Sequence, residues 1–299
     1  MAQFPKNYFE DEEKEGFLVE SMMKRAWAAQ IEVLEMIDRI CVKYGLKYYA
    51  DWGTLLGTVR HKGFIPWDDD IDIAMERKDY MKFIEVSKTE LPKQCKLLSI
   101  YTEMEYGELF ARVVNSDSIN FEEAHLEHYH GCPYVVGVDI FPLDELPEDA
   151  DVQQAQYEIL NLFLMAVKMC KQSEVPENVL LSIENFIQQK LDREKNLLNQ
   201  LLRQMDQICQ FYNGQDSSKL AEFANYVINP AWIMKKEWYQ ERLWLPFETI
   251  QIAVPRDSDA VLKCMYGDYR KIIRGGADHT YPFYKEQQQM VEERLKQMY

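Results

Sequence analysis

Between residues 17 and 44, Leu18, Met22, Ala26, Ala29, Val33, Ile37 and Ile40 recur at three- or four-residue steps. That spacing predicts one apolar face of a helix, and Gly45 stands where a left-handed C-cap is expected. A strand is predicted over 46–50. The period then falls to two: Asp70-Ile71-Asp72-Ile73 alternates polar and apolar, predicting a strand with Ile71 and Ile73 buried and Asp70 and Asp72 on the opposite side, one pleat apart. Tyr80, Phe83 and Ile84 mark the inner face of a helix over 78–90, stopped by Pro92, and strands follow over 95–101 and 108–115. Residues 134–147 read as a strongly apolar strand in which Asp139 is the lone acid before the turn at Asp144 and Glu145. From 151 to 212 no glycine interrupts stretches of Leu, Gln, Glu, Lys and Met, so two or three helices are predicted with a break at Pro176. A hairpin over 243–255 and a helix over 258–265 complete the pattern.

The chain has 299 residues, 47% of them hydrophobic, enough for a substantial core. Its net charge of −16, from 50 acids and 34 bases, excludes a general nucleic-acid binder, which needs a basic footprint on the phosphates. A nucleotide substrate stays open, because a local cation and a few bases reverse the field inside a cleft. No run approaches the ~18 apolar residues of a membrane span, so no transmembrane segment is expected. The first residues lack the apolar centre of a signal peptide, which sets the expectation of a cytoplasmic protein. Six cysteines, at 41, 95, 132, 170, 209 and 264, show no Cys-x-x-Cys spacing and read as reduced and structural rather than as a zinc site.

The chemistry concentrates at 48–75. Asp68, Asp69, Asp70 and Asp72 fall within five positions, framed by Phe64-Ile65-Pro66-Trp67 and by Ile71, Ile73 and Met75. An acidic run is ordinarily a solvated turn, but acids framed by core residues mark a site. An EF-hand loop fails, since its sixth position would be Ile73 and its twelfth Asp79. Asp70 and Asp72 aimed at one point suit a hard divalent cation, Mg²⁺ or Mn²⁺, and Asp139 fits as a third ligand from a neighbouring strand. Upstream, Gly53 permits close backbone approach to a ligand and Thr54 offers a hydroxyl to a phosphate. Arg112 interrupts an apolar strand, and its planar fork suits a phosphate as well as an edge-strand position. His125 and His128 share a helical face but read as a polar loop. Arg270, Lys271, Arg274 and His279 form a basic cluster, either a phosphate anchor or a solvated tail. Asp144, in the turn before Pro147, reads as structural.

Gly53-Thr54-Leu55-Leu56-Gly57, followed by Arg60-His61-Lys62-Gly63-Phe64-Ile65-Pro66-Trp67-Asp68-Asp69-Asp70-Ile71-Asp72, resembles the signature of the LicD phosphotransferase family, with fukutin and fukutin-related protein as distant relatives. Asp139-Ile140-Phe141-Pro142-Leu143-Asp144 and the order hairpin, Val-Pro, helix, Tyr266-Gly267-Asp268-Tyr269 resemble later elements of the same family. The likeness spans roughly 45–147 and 240–282. It implies an α+β, nucleotidyltransferase-like mixed sheet flanked by helices, with a helical middle insertion. The expected organisation is a packing helical segment over 1–45, a catalytic core over 46–150, the insertion over 151–240 and a hairpin and helix over 241–299 that complete the core. It implies a metal-dependent transferase with Asp70, Asp72 and Asp139 as catalytic and metal ligands. Gly53, Thr54, Arg60, Arg112 and His279 would cradle phosphates, and Asp139 or a neighbouring acid would act as base. The implied donor is CDP-linked, such as CDP-choline, and the acceptor is a glycan or lipid-linked glycan. The same acids would serve a nucleotidyltransferase that releases pyrophosphate, and a silent scaffold is the alternative outside enzymes.

Overall fold

Gly45 ends the first helix as its position foretells: at φ +66° its N–H reaches the carbonyls of Cys41 and Val42. The computed structural model describes residues 2–275 and 281–298, the last two as backbone only. Its helices are α1 (Ser21–Tyr44), α2 (Trp52–His61), α3 (Arg77–Glu90), α4 (Glu123–His128), α5 (Ala150–Gln172), α6 (Glu177–Ile187), α7 (Leu197–Cys209), α8 (Phe223–Tyr226), α9 (Ser258–Tyr266) and α10 (Lys285–Met298). Its strands are β1 (Glu12–Lys14), β2 (Phe17–Val19), β3 (Tyr49–Ala50), β4 (Asp72–Glu76), β5 (Lys96–Leu98), β6 (Ala111–Val114), β7 (Gly137–Glu145), β8 (Lys219–Glu222), β9 (Met234–Lys235), β10 (Arg242–Phe247) and β11 (Ile250–Pro255).

The first helix begins later than its periodicity predicts. Glu15 and Gly16 both take positive φ, at +53° and +72°, and turn the chain between β1 and β2 as a two-residue hairpin loop. Leu18, expected on the inner helical face, is therefore a strand residue and 56% exposed. The strand predicted over 46–50 shortens to Tyr49–Ala50. The strand predicted from Asp70 begins instead at Asp72, and Asp70 stays in the turn before it.

The main sheet has the order β3-β4-β7-β6-β5, with β8 and β9 added beyond β6 along the same side of β7. It is mixed: β4 and β7 are parallel, while β3, β6 and β8 run antiparallel to their neighbours. The long strand β7 is the axis. Its first half pairs with β6 at residues 137–140, and its last residues pair with β8 at 143–145. The stretch 151–240, expected as a helical insertion, is thus helical through Cys209 and then re-enters the sheet.

Helices α1 and α3 pack with the sheet, α2 and the β10–β11 hairpin into one apolar core, whose largest members include Trp27, Tyr48, Tyr49, Tyr80 and Phe247. Helices α5, α6 and α7 form a second core with Leu146, Ala221, Phe223 and Tyr226. Between the two, the buried Arg77 guanidinium at the start of α3 donates to Asp144 of β7 (Nε–Oδ1 2.8 Å) and to Asp206 of α7 (2.9 Å). Asp144, read from the sequence as structural, is fully buried and also accepts from Asn213. The six cysteines are free thiols.

Candidate active site

The site grows from the short link between β3 and α2. Asp51 caps that helix, its Oδ1 accepting from the Trp52 N–H at 3.0 Å, while its buried Oδ2 has no hydrogen-bond partner. Gly53 follows because nothing larger fits: a Cβ there would meet Asp68 Oδ2 at 2.2 Å. Thr54 comes next, buried, and its hydroxyl accepts from the Asp72 N–H at 2.9 Å. The sequence offered this hydroxyl to a phosphate; in the fold its oxygen instead fixes the first residue of β4. The Asp51 N–H donates to the Asp72 carbonyl, and the Asp139 N–H to that of Ile71, locking the acidic turn between β3 and β7.

Register then assembles the rest. Asp72 lies opposite Asp139 across the parallel β4–β7 pair, and Asp139 lies opposite Arg112 across the antiparallel β7–β6 pair. Three residues far apart in sequence thus form one row across three strands. Arg112 grips Asp139 with both arms of its fork, Nε to Oδ1 and a terminal nitrogen to Oδ2 at 2.6 Å. Expected on a phosphate, this guanidinium is paired with the expected metal ligand instead.

Beside that row, carboxylate oxygens of Asp68, Asp69 and Asp70 lie within 4.8 Å of one another. Asp69 also accepts from the Phe283 N–H at 2.6 Å, tying the C-terminal segment to the site. Burial raises the carboxyls of Asp68 and Asp72 well above the usual range, and Asp70 next to each raises them further. Burial lifts Asp51 to about 7. Asp139 is also raised by burial, with Arg112 pulling it back. So many acids at one point are costly unless protons or a cation offset them. The donors are oxygens alone, and one buried oxygen, Asp51 Oδ2, is orphaned. This set fits a hard divalent cation better than zinc or copper.

A partly enclosed space flanks the acids. This cavity of about 490 Å³ is lined by Asp69, Asp70, Arg112, Gly137 and Phe283, with Glu286, Gln287 and Met290 of α10 as its lid. Gln287 fastens that helix by exchanging two 2.9 Å hydrogen bonds with the backbone of Val135. Next to Asp51, Trp52 meets Trp232 and Tyr266 edge to face.

Of the remaining sequence candidates, Arg60 is half-buried and donates to the Tyr269 carbonyl at 3.0 Å, joining α2 to the segment after α9. Arg270 pairs with Asp259 at 2.7 Å, and Arg274 lies over the Phe17 ring. His279 lies outside the described residues. His125 is buried beside the Tyr129 ring, and among the described residues no third ligand joins it and His128. Sequence reasoning missed Asp51, whose signal was its place before Trp-Gly-Thr as a helix cap. It placed Asp68 and Asp69 in the acidic run but did not name them among the ligands.

Residues 45–145 match the LicD/FKTN/FKRP nucleotidyltransferase domain. The chain is 25% identical over 251 residues to the lipopolysaccharide cholinephosphotransferase LicD of Haemophilus influenzae, an alignment covering 81% of this chain and 89% of that protein. It is 28% identical over 98 residues to human ribitol 5-phosphate transferase FKRP, covering 33% of this chain and 17% of that protein. An uncharacterised protein of Rickettsia typhi is 38% identical over 55 residues, 18% of each chain. These matches bear out the resemblance read from the sequence.

Proposed function

We propose that this chain, which carries a LicD-family nucleotidyltransferase domain and is a phosphotransferase of that type, moves a phospho-headgroup from a CDP-linked donor onto a hydroxyl of a glycan or glycan precursor. The observation that carries the reading is the row Asp72, Asp139 and Arg112 beside the cluster Asp68, Asp69 and Asp70. The choice of a cytidine diphosphate donor comes from the family resemblance. The choline-bearing headgroup follows the name of the Haemophilus relative.

In the reaction, the acceptor oxygen attacks the headgroup phosphorus. The bond from that phosphorus to the CMP oxygen breaks, CMP leaves, and the acceptor proton passes to a carboxylate. Asp70 and Asp72, with Asp139 and the adjoining Asp68, would hold Mg²⁺ or Mn²⁺, which when bound neutralises the diphosphate and the leaving CMP. Asp139, its carboxyl raised by burial, or a neighbouring acid takes the proton. Arg112 orients Asp139 through its bidentate grip and supplies positive charge at the edge of the cleft. Thr54 and the tight packing at Gly53 keep Asp72 and Asp68 in place.

The test is thermal stabilisation of the protein by CDP-choline, CDP-ethanolamine, CDP-ribitol, CTP and ATP, each with Mg²⁺, Mn²⁺ or EDTA. Stabilisation by one CDP-linked donor, lost in EDTA and stronger than that by CTP, is the expected result. A preference for CTP or ATP would move the assignment to a nucleotidyltransferase, and silence across the panel would defeat both.

A further inference from the structure

Helix α1 reaches the acidic turn with two side chains one turn apart. The Trp27 indole Nε1–H donates to the Asp68 carbonyl at 3.0 Å, and Gln30 Nε2 donates to the Asp69 carbonyl at 2.7 Å. Residues three apart share a helical face, and both of these are 1% exposed. The indole is held in turn by its ring, which stacks on Phe64 with centroids 4.6 Å apart and an interplanar angle of 2°. The amide is the odd member of its face. Ala26, Val33 and Leu34, its neighbours one turn away, are apolar and buried. Its Oε1 is buried without a hydrogen-bond partner among the described residues. An apolar side chain of the same length would avoid that cost, so what the site takes from this glutamine is its donor end. The second core repeats the arrangement between α5 and α7. There Gln156, 3% exposed, donates from Nε2 to the Ile208 carbonyl at 2.9 Å while its Oε1 is unpartnered.

At α1 the two bonds act where the acids are densest. The carbonyls of Asp68 and Asp69 accept from the helix, while the carboxylates of Asp68, Asp69 and Asp70 converge to within 4.8 Å of one another. Like charges favour spreading those carboxylates apart, and opposing that takes anchors on the backbone that bears them. Gln30 lines the same cavity as Asp69 and Asp70, so this anchor stands at the site itself. We infer that Trp27 and Gln30 are positioning residues of the cation site: they hold the backbone of Asp68 and Asp69 so that the carboxylates of the acidic turn converge on a hard divalent cation. Both act through the acids and not on the reacting groups. This inference rests on the reading of the acids as a cation site.

The test is the Mn²⁺ affinity of the full-length protein, read from the free-ion signal in electron paramagnetic resonance. The wild type is compared with Gln30→Met, Trp27→Phe and Gln156→Met, each checked for folding by its melting curve in EDTA. Gln30→Met keeps the length of the side chain and loses the donor, and Trp27→Phe keeps a ring on Phe64 and loses the indole N–H. Both should bind Mn²⁺ about tenfold more weakly than the wild type, as when a metal ligand loses its supporting hydrogen bond. Gln156→Met, which loses the same kind of bond in the second core, should keep wild-type affinity even where its melting temperature falls as far. Wild-type affinity in either Gln30→Met or Trp27→Phe would overturn the inference and leave the cation site standing. An equal loss in Gln156→Met would overturn it too, since the effect would then belong to stability in general. A wild type that binds no Mn²⁺ would overturn the cation reading, and the positioning role with it.

Discussion

Asp72 has the most demanding position of any single residue. Its carboxyl is buried against Asp70, Asp139 and Asp68, its N–H is held by Thr54, and it faces Asp139 across the sheet. Replacing it with alanine removes charge that the folded chain has to tolerate, so Asp72→Ala should fold at least as stably as the wild type without metal. The same variant should lose turnover by about three orders of magnitude or more and show no Mg²⁺-dependent rise in melting temperature. Near-normal turnover in saturating Mg²⁺ would place the metal elsewhere. Thr54→Val is the sharper test of positioning. It keeps the shape but leaves the buried Asp72 N–H without its acceptor, which should cost about 1–3 kcal/mol by chemical denaturation. Turnover should fall as well, while a hydroxyl that served only the substrate would leave stability unchanged.

At the scale of elements, β7 connects the two cores. It carries Asp139 towards the cleft in its first half and Asp144 towards the helical layer in its second. The sheet meets α7 through Arg77, whose guanidinium is satisfied by Asp144 and Asp206 with Tyr101 donating to the latter. Arg77→Met would strand two buried carboxylates, and its unfolding free energy should drop by about 3–5 kcal/mol. The triple replacement Arg77→Met, Asp144→Leu and Asp206→Leu should recover much of that loss. If the single variant were as stable as the wild type, the helical layer would owe nothing to this network.

Across the whole molecule, the concentration of buried acids ties stability to pH. Burial raises Asp51 from its ordinary value near 3.8 to about 7, and it and the neighbouring acids raise Asp68 and Asp72 in the same direction. A carboxyl raised on folding contributes stability that is fully present below its unfolded value and lost as pH climbs to its folded one. For Asp51 that window runs from about 3.8 to about 7. This cluster should therefore weaken the metal-free protein progressively as pH rises across the window. Because a cation replaces the same protons, the melting-temperature gain from Mg²⁺ should be larger at about pH 8 than at about pH 5.5. An equal gain at both would separate the cation from these acids.

The sequence by itself determined which segments build the sheet as far as β7 and its first covering helices, while β8 and β9 lay in a stretch read as helical. Apolar periodicity is a local property, and α1, α3, the β10–β11 hairpin and β7 all lie where their patterns put them. It also singled out Asp70, Asp72 and Asp139, because acids set among isoleucines are anomalous before any fold is known. Boundaries were less legible: Glu15-Gly16 turned the chain before α1, and hydrogen-bond register rather than alternation decided that β4 starts at Asp72. Tertiary structure alone decided who faces whom. Pairing across strands set Arg112 on Asp139, and the return of β8 to the sheet delivered Glu222 to Trp52. Trp52, Trp232 and Tyr266 met only because a helix start, a loop and a helix end converge. Periodicity reports which side of an element is buried, but not what it is buried against. Contacts between residues nearly two hundred positions apart follow from the packing of the whole chain.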